Sequence, residues 1–168
     1  MIHSPAPLID LPWIATARSR IGQREIPGPA ENSWIVGLWK KIRRGGIKTE
    51  SVPWCAAFVG ACLEDAGIVS TRFESAASYL TWGGVLFEPT YGCIVVFARD
   101  GGGHVGFVVG EDEAGRLLVL GGNQGDAVSI APFPRARVSG YRWPYDIPVS
   151  RPWLPILSSA APSSTNEA

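Results

Sequence analysis

The spacing of apolar residues changes near residue 84 from helical to strand-like, and this change limits the possible folds more than any other feature. Helices are predicted at 13–23, 32–42, 53–66 and, for a shorter one, 75–83. Strands are predicted at 93–97, 104–109, 116–120, 127–130 and 138–143, each bounded by turn-forming residues. Because short connections join antiparallel neighbours, the pattern predicts an α+β fold with about five antiparallel strands, not repeated βαβ units.

The 168 residues suffice for one domain with its own core, and no internal repeat is present. We expect an extended segment at 1–12, a folded domain at 13–144, a docked proline-rich extension at 145–157 and a flexible tail at 158–168. The prolines of the extension exclude a central strand. Its apolar residues favour packing against the domain over exposure to water.

Fifteen basic and fifteen acidic side chains cancel, so bulk charge does not favour binding to nucleic acid or anionic lipid. No apolar run is long enough for membrane insertion, and we expect a monomer. The first residues lack the basic and apolar regions of a secretory signal, which predicts synthesis in the cytoplasm. Three cysteines without a CxxC or Cys/His cluster argue against a disulfide framework or a zinc site, and no cofactor is predicted.

The segment 52–67 is predicted to be a helix that begins near Pro53 and places Cys55 in its first turn. Free backbone N–H groups and the positive end of the helix dipole favour a thiolate at that position. Cys55 is therefore a candidate nucleophile. Cys62 and Cys93 are interpreted as small buried apolar side chains, which is the usual role of a free cysteine.

A cysteine nucleophile needs a base, and the chain offers two histidines. His3 lies in the extended terminus, whereas His104 follows the glycines 101–103 and opens a strand. Asn123 stands at the end of the next strand, and a hairpin would return it close to His104. The order Cys, His, Asn on helices followed by an antiparallel sheet is typical of papain-like thiol hydrolases.

Four sequence strings, taken together and in order, resemble the NlpC/P60 and CHAP superfamily of peptidoglycan hydrolases, especially the branch of phage endolysins and cell-wall lytic proteins. They are VPWCAAFV (52–59), GHVGFVVG (103–110), LGGNQ (120–124) and GYRWP (140–144). The resemblance extends from Trp13 to Pro144. It implies a papain-like fold in which the Cys-bearing helix packs on the sheet, with Cys55 as nucleophile and His104 as base.

The third residue of the implied catalytic triad is Asn123. CHAP domains often carry Glu-x-Asn after the histidine, and here Asn123 is kept while Gly121 stands at the position of the Glu. Gln124 and Asp126 remain alternatives for this role. The acidic calcium-binding loop of some CHAP domains is not evident, so the resemblance implies no metal.

The resemblance thus implies a thiol hydrolase in which Cys55 attacks an amide of peptidoglycan, either in a stem peptide or at N-acetylmuramic acid. Residues expected to contact the substrate are Trp54, Tyr79, Trp82 and Gln124. Delivery to the wall would require a holin, a virion or a secretion machine. Two alternatives remain open: a non-catalytic wall-binding or structural module of a phage particle or secretion system, and a thiol effector that acts on protein.

Overall fold

The structure is a computed structural model that describes residues 9–99, 102–149 and 152–158. The predicted extended segment at 1–12 and tail at 158–168 lie largely outside these residues. The helices of the described part are α1 (Pro12–Arg18), α2 (Ser33–Lys41), α3 (Cys55–Asp65) and two 3₁₀ helices, η1 (Ala76–Thr81) and η2 (Arg135–Arg137). None of them is long and apolar enough to span a membrane.

Within the described residues, six strands form one antiparallel sheet in the order β1-β6-β2-β3-β4-β5. They are β1 (Gly84–Leu86), β2 (Ile94–Arg99), β3 (Gly102–Glu111), β4 (Leu117–Gly121), β5 (Ser129–Phe133) and β6 (Val138–Trp143). The predicted α+β, papain-like class is confirmed. The short edge strand β1 was not predicted, since three residues carry too little alternation to indicate a strand.

The helix starts show how local chemistry sets the boundaries. Helix α2 begins after Asn32, whose side-chain oxygen accepts the Trp34 N–H at 3.0 Å, as expected of an N-cap. Helix α3 begins at Cys55, so the prediction that Pro53 is its first helical residue was wrong. Trp54 is the cap residue, and its non-helical backbone (φ −110°, ψ 15°) delays the start of the helix.

Strands β3 and β4 form the hairpin that the sequence predicted. Its turn includes Gly115 with φ +80°, and Phe107 pairs with Leu120. Continued toward the open end of the hairpin, this register brings His104 close to the residues that follow β4. Helix α3 packs on β3 and β4, helix α1 packs on α3 and β4, and every residue of β4 is buried.

The end of the described chain pairs with the far end of β3. The Glu111 N–H donates to the Pro155 carbonyl at 2.9 Å, and the Leu157 N–H donates to the Glu111 carbonyl at 2.8 Å. This short parallel bridge holds the segment 155–157 against the sheet, at the opposite end of β3 from His104.

Candidate active site

Cys55 is the first residue of α3 and is only 3% exposed. Its thiol therefore lies at the positive end of the dipole of an eleven-residue helix. The first turn holds no acidic residue, and the Trp54 side chain does not cap the helix. The helix dipole at this position stabilises a negative charge on the sulfur.

His104 is fully buried near the start of β3. Its imidazole stacks on the Phe133 ring, with centroids 5.4 Å apart and planes 12° from parallel. Phe133 stacks in turn on Phe97 at 4.6 Å. These contacts fix the plane of the imidazole. Sequence reasoning missed Phe133, because a phenylalanine in a strand carries no signal beyond that of a core residue.

The Nε2 atom of His104 lies 3.0 Å from the Oε1 atom of Gln124. The amide nitrogen of Gln124 donates to the Val119 carbonyl at 3.1 Å, and to the carbonyl and hydroxyl of Ser129 at 2.9 Å and 3.2 Å. Gln124 is 4% exposed, so water has little access to compete for these contacts. The imidazole is thus held by a side chain that is itself fixed at both ends.

Gly121 and Gly122 bring the histidine and the cysteine helix side by side. A Cβ atom on Gly121 would overlap Gln124 Oε1 and approach His104 Nε2 to 3.4 Å. On Gly122 it would come within 2.7 Å of both the Trp54 ring and the Phe58 Cβ. Since these two residues are in the turn that contains Cys55, the close packing of both glycines places that turn beside the imidazole.

Asn123 directly precedes the residue that contacts the imidazole. It is buried, with φ +58°. The ring-orienting contact with Nε2 belongs to Gln124, so the geometry favours the alternative over the residue first predicted. A catalytic role for Asn123 stays a prediction. Asp126, the other alternative, is exposed, and its backbone carbonyl accepts the Glu25 N–H at 2.9 Å.

Three of the four residues predicted to contact the substrate are buried, and their substrate contacts stay predictions. Trp54 and Tyr79 are fully buried, and Gln124 is nearly so, so these side chains present almost no surface to a substrate. The Trp54 indole instead donates to Glu25 Oε1 at 2.7 Å. Trp82 is partly exposed and donates through Nε1 to the Val69 carbonyl at 3.0 Å. It remains available as a substrate contact.

Glu25 accepts a hydrogen bond from the cap residue of α3 and interacts electrostatically with two other carboxylates. Partial burial raises the pKa of Glu25, the hydrogen bond from Trp54 opposes this, and the charges of Asp126 and Glu50 raise the pKa further. The ionised form of Glu25 is therefore disfavoured by the fold.

The other two cysteines have the buried positions that the sequence predicted. Burial raises the pKa of Cys62 far above its ordinary value, and it raises the pKa of Cys93 to about 12. Both remain neutral thiols at physiological pH. Among the described residues, no three His, Cys, Asp or Glu side chains are grouped so that they could hold a metal ion.

The fold and the site define an α+β protein of papain-like architecture, with a cysteine at a helix start and a buried histidine on the adjacent sheet. Residues 47–123 match the model of the CHAP domain. This match confirms the resemblance to the CHAP superfamily of peptidoglycan hydrolases. The match includes Cys55 and His104 and ends one residue before Gln124. No curated protein matches the chain.

Proposed function

We propose that this protein is a cysteine peptidoglycan hydrolase that cleaves an amide bond of the bacterial wall, as an endopeptidase or an amidase. One observation carries the proposal: Cys55 begins α3, and the two glycines at the end of β4 pack this turn beside the buried imidazole of His104. Both residues lie within the matched CHAP segment. CHAP domains are typically cysteine- and histidine-dependent hydrolases, which supports the same assignment.

In the proposed mechanism, His104 accepts the proton of Cys55, and the thiolate attacks the amide carbonyl carbon. Backbone N–H groups at the start of α3 stabilise the oxyanion, a type of contact that contributes about 3 kcal/mol per donor. The C–N bond then breaks as the imidazolium returns its proton to the leaving amine. A water molecule, deprotonated by His104, hydrolyses the thioester and regenerates the thiol while releasing a carboxylate.

The proposal extends to the biological setting of the enzyme. Its substrate lies outside the cytoplasmic membrane, so we place the enzyme among lytic proteins of endolysin type that a holin, a virion or a secretion machine delivers to the wall. The sequence strings around Cys55 and His104 support this, since they resemble that branch of the superfamily. We propose that the enzyme acts as a monomer, without a metal.

The test is the loss of turbidity of purified peptidoglycan, followed by mass spectrometry of the soluble fragments. An amidase releases whole stem peptides, whereas an endopeptidase creates a new amino terminus inside a stem or cross-bridge. The matched pair Cys55→Ala and Cys62→Ala separates catalysis from folding, since both alter a buried cysteine of α3. Wall binding without any released fragment would contradict the proposal and favour a wall-binding module. Cleavage or deamidation of protein in place of peptidoglycan would favour an effector.

A further inference from the structure

The orientation of the Gln124 carboxamide follows from its surroundings. The Val119 and Ser129 carbonyls lie 3.1 Å and 2.9 Å from one end of the amide, and a carbonyl can only accept a hydrogen bond. That end must therefore be the NH₂ group. The reverse orientation would place three acceptors together, without a proton between them, in a buried site.

The orientation of the amide fixes the proton on His104. Once the NH₂ group faces the two carbonyls, Gln124 presents its oxygen to the imidazole, and this oxygen can only accept. His104 Nε2 must then carry a hydrogen. In the neutral ring the lone pair is consequently on Nδ1, which makes Nδ1 the atom that accepts a proton.

We propose that Gln124 is the positioning residue of this site, and that it fixes His104 as the Nε2–H tautomer with Nδ1 as the base toward Cys55. This inference rests on the proposed function in taking Cys55 and His104 as the reacting pair. It assigns to Gln124 the orienting role that the sequence first indicated for Asn123.

The local packing gives this role to an amide at residue 124. A glutamate there would place its second carboxylate oxygen against the Val119 and Ser129 carbonyls, which repel it. The carboxamide also occupies the space that any side chain at residue 121 would need, and Gly121 leaves that space open. Residues 121 and 124 thus compete for one position beside His104 Nε2.

The first test is long-range ¹H–¹⁵N NMR of the wild-type protein at a pH at which the imidazole is neutral. The two imidazole nitrogens have distinct shifts according to which one is protonated, so the spectrum reports the tautomer directly. We expect a protonated Nε2 and an unprotonated Nδ1. The opposite tautomer, or a mixture of both, would overturn the inference. Because this measurement involves neither substrate nor substitution, it is independent of the proposed function.

The second test follows the rate at which iodoacetamide alkylates Cys55 as a function of pH, resolved by mass spectrometry from Cys62 and Cys93. Gln124→Ala should lower the rate at neutral pH by about one order of magnitude, because the imidazole loses its fixed orientation. Gly121→Gln should also be impaired, since its side chain overlaps Gln124.

A carboxylate near the imidazole provides a further readout. Gly121→Glu/Gln124→Ala should shift to higher pH the point at which the imidazolium deprotonates, because an adjacent negative charge favours the charged ring. Ser139→Ala is the matched control: it removes an exposed hydroxyl of β6, which β2 separates from β3, and should leave the pH profile unchanged. Folding of each variant is checked by circular dichroism. An unchanged alkylation rate and pH profile in folded Gln124→Ala would overturn the inference. Altered alkylation in a protein that does not cleave peptidoglycan would refute only the proposed function.

Discussion

Helix α3 carries two cysteines with nearly the same exposure, 3% for Cys55 and 2% for Cys62. Their surroundings differ. Cys62 lies two turns into the helix, where burial dominates and raises its pKa. Cys55 lies at the helix start, beside the His104–Gln124 pair.

The comparison shows that burial alone does not determine the chemistry of a thiol. A buried thiolate is costly unless nearby dipoles or cations compensate for lost solvation. The start of α3 supplies a dipole, and the adjacent histidine supplies a proton acceptor whose orientation is fixed. The second half of the helix supplies neither, so Cys62 acts as a core residue.

Cys55→Ala should abolish release of peptidoglycan fragments, lowering turnover by at least about three orders of magnitude, because no other group replaces the nucleophile. Its fold should remain intact, since only a sulfur atom is removed from the first turn of the helix. Turbidity assays and circular dichroism measure the two effects. Cys62→Ala should retain wild-type activity. Loss of activity in Cys62→Ala with preserved folding would contradict the assignment of Cys62 as a core residue without a role in catalysis.

Gln124→Ala should lower turnover by roughly one to two orders of magnitude, or about 1.4–2.7 kcal/mol of barrier, through loss of imidazole orientation. A neutral amide supplies no charge to the imidazolium, so the effect should be smaller than that of removing Cys55. Asp126→Ala should stay near wild type, because that side chain is exposed. Parallel kinetics of these variants and Asn123→Ala decide the assignment. A larger loss in Asn123→Ala than in Gln124→Ala would restore the role first predicted for Asn123.

Much of the fold could be predicted because it depends on local patterns. The helical spacing of apolar residues, the Asn32 cap and the turn at Gly115 each indicate structure within a short window of sequence. The hairpin between β3 and β4 then determines which residues approach His104. The pairing of β6 with β2 instead of β5 could not be predicted, since it depends on contacts far apart in the chain.

The details of the site were harder to predict for a related reason. The loop after β4 contains left-handed backbone at Asn123, Gly125 and Asp126, and such turns decide which side chain faces the imidazole. The alternation of side-chain direction along β4 therefore does not continue into this loop. As a result, the side chain that contacts the imidazole is Gln124. Similarly, the position of an aromatic residue near a catalytic motif in the sequence does not predict whether its ring is buried. Trp54 and Tyr79 are examples, since both rings are fully buried.

Alkaline conditions should affect the Cys62 end of α3 through stability. Cys62→Ala should cost about 1–2 kcal/mol at neutral pH through a small cavity. The folded-state pKa of Cys62 is raised above the ordinary value of 9.0, so its contribution is complete below pH 9 and is lost as the pH rises further. Wild type should therefore lose up to about 1.4 kcal/mol per pH unit more than Cys62→Ala above pH 9.

Urea unfolding under reducing conditions between pH 8 and pH 10 measures this difference. Cys93→Ala serves as a second case, because burial raises the pKa of Cys93 to about 12. Equal slopes in wild type and both variants would mean that these thiols ionise equally well in the folded and unfolded chains. That result would contradict the assignment of Cys62 to the core.

The smallest expected effect concerns Glu25, which holds the cap residue of α3 through the Trp54 indole. Because the fold raises the pKa of Glu25, its contribution to stability is complete below the ordinary value of 4.5 and is lost as the pH rises through the folded-state pKa. Glu25→Gln keeps an acceptor for Trp54 and removes a charge close to Asp126 and Glu50. The melting temperature at pH 7 should rise by about 1–2 °C, and the gain should vanish below pH 4.5. Thermal scans at both pH values, with Glu31→Gln as an exposed-carboxylate control, measure it. A lower melting temperature of Glu25→Gln at pH 7 would contradict this prediction. It would mean that the hydrogen bond from Trp54 to the ionised carboxylate stabilises the fold by more than the burial of that charge costs.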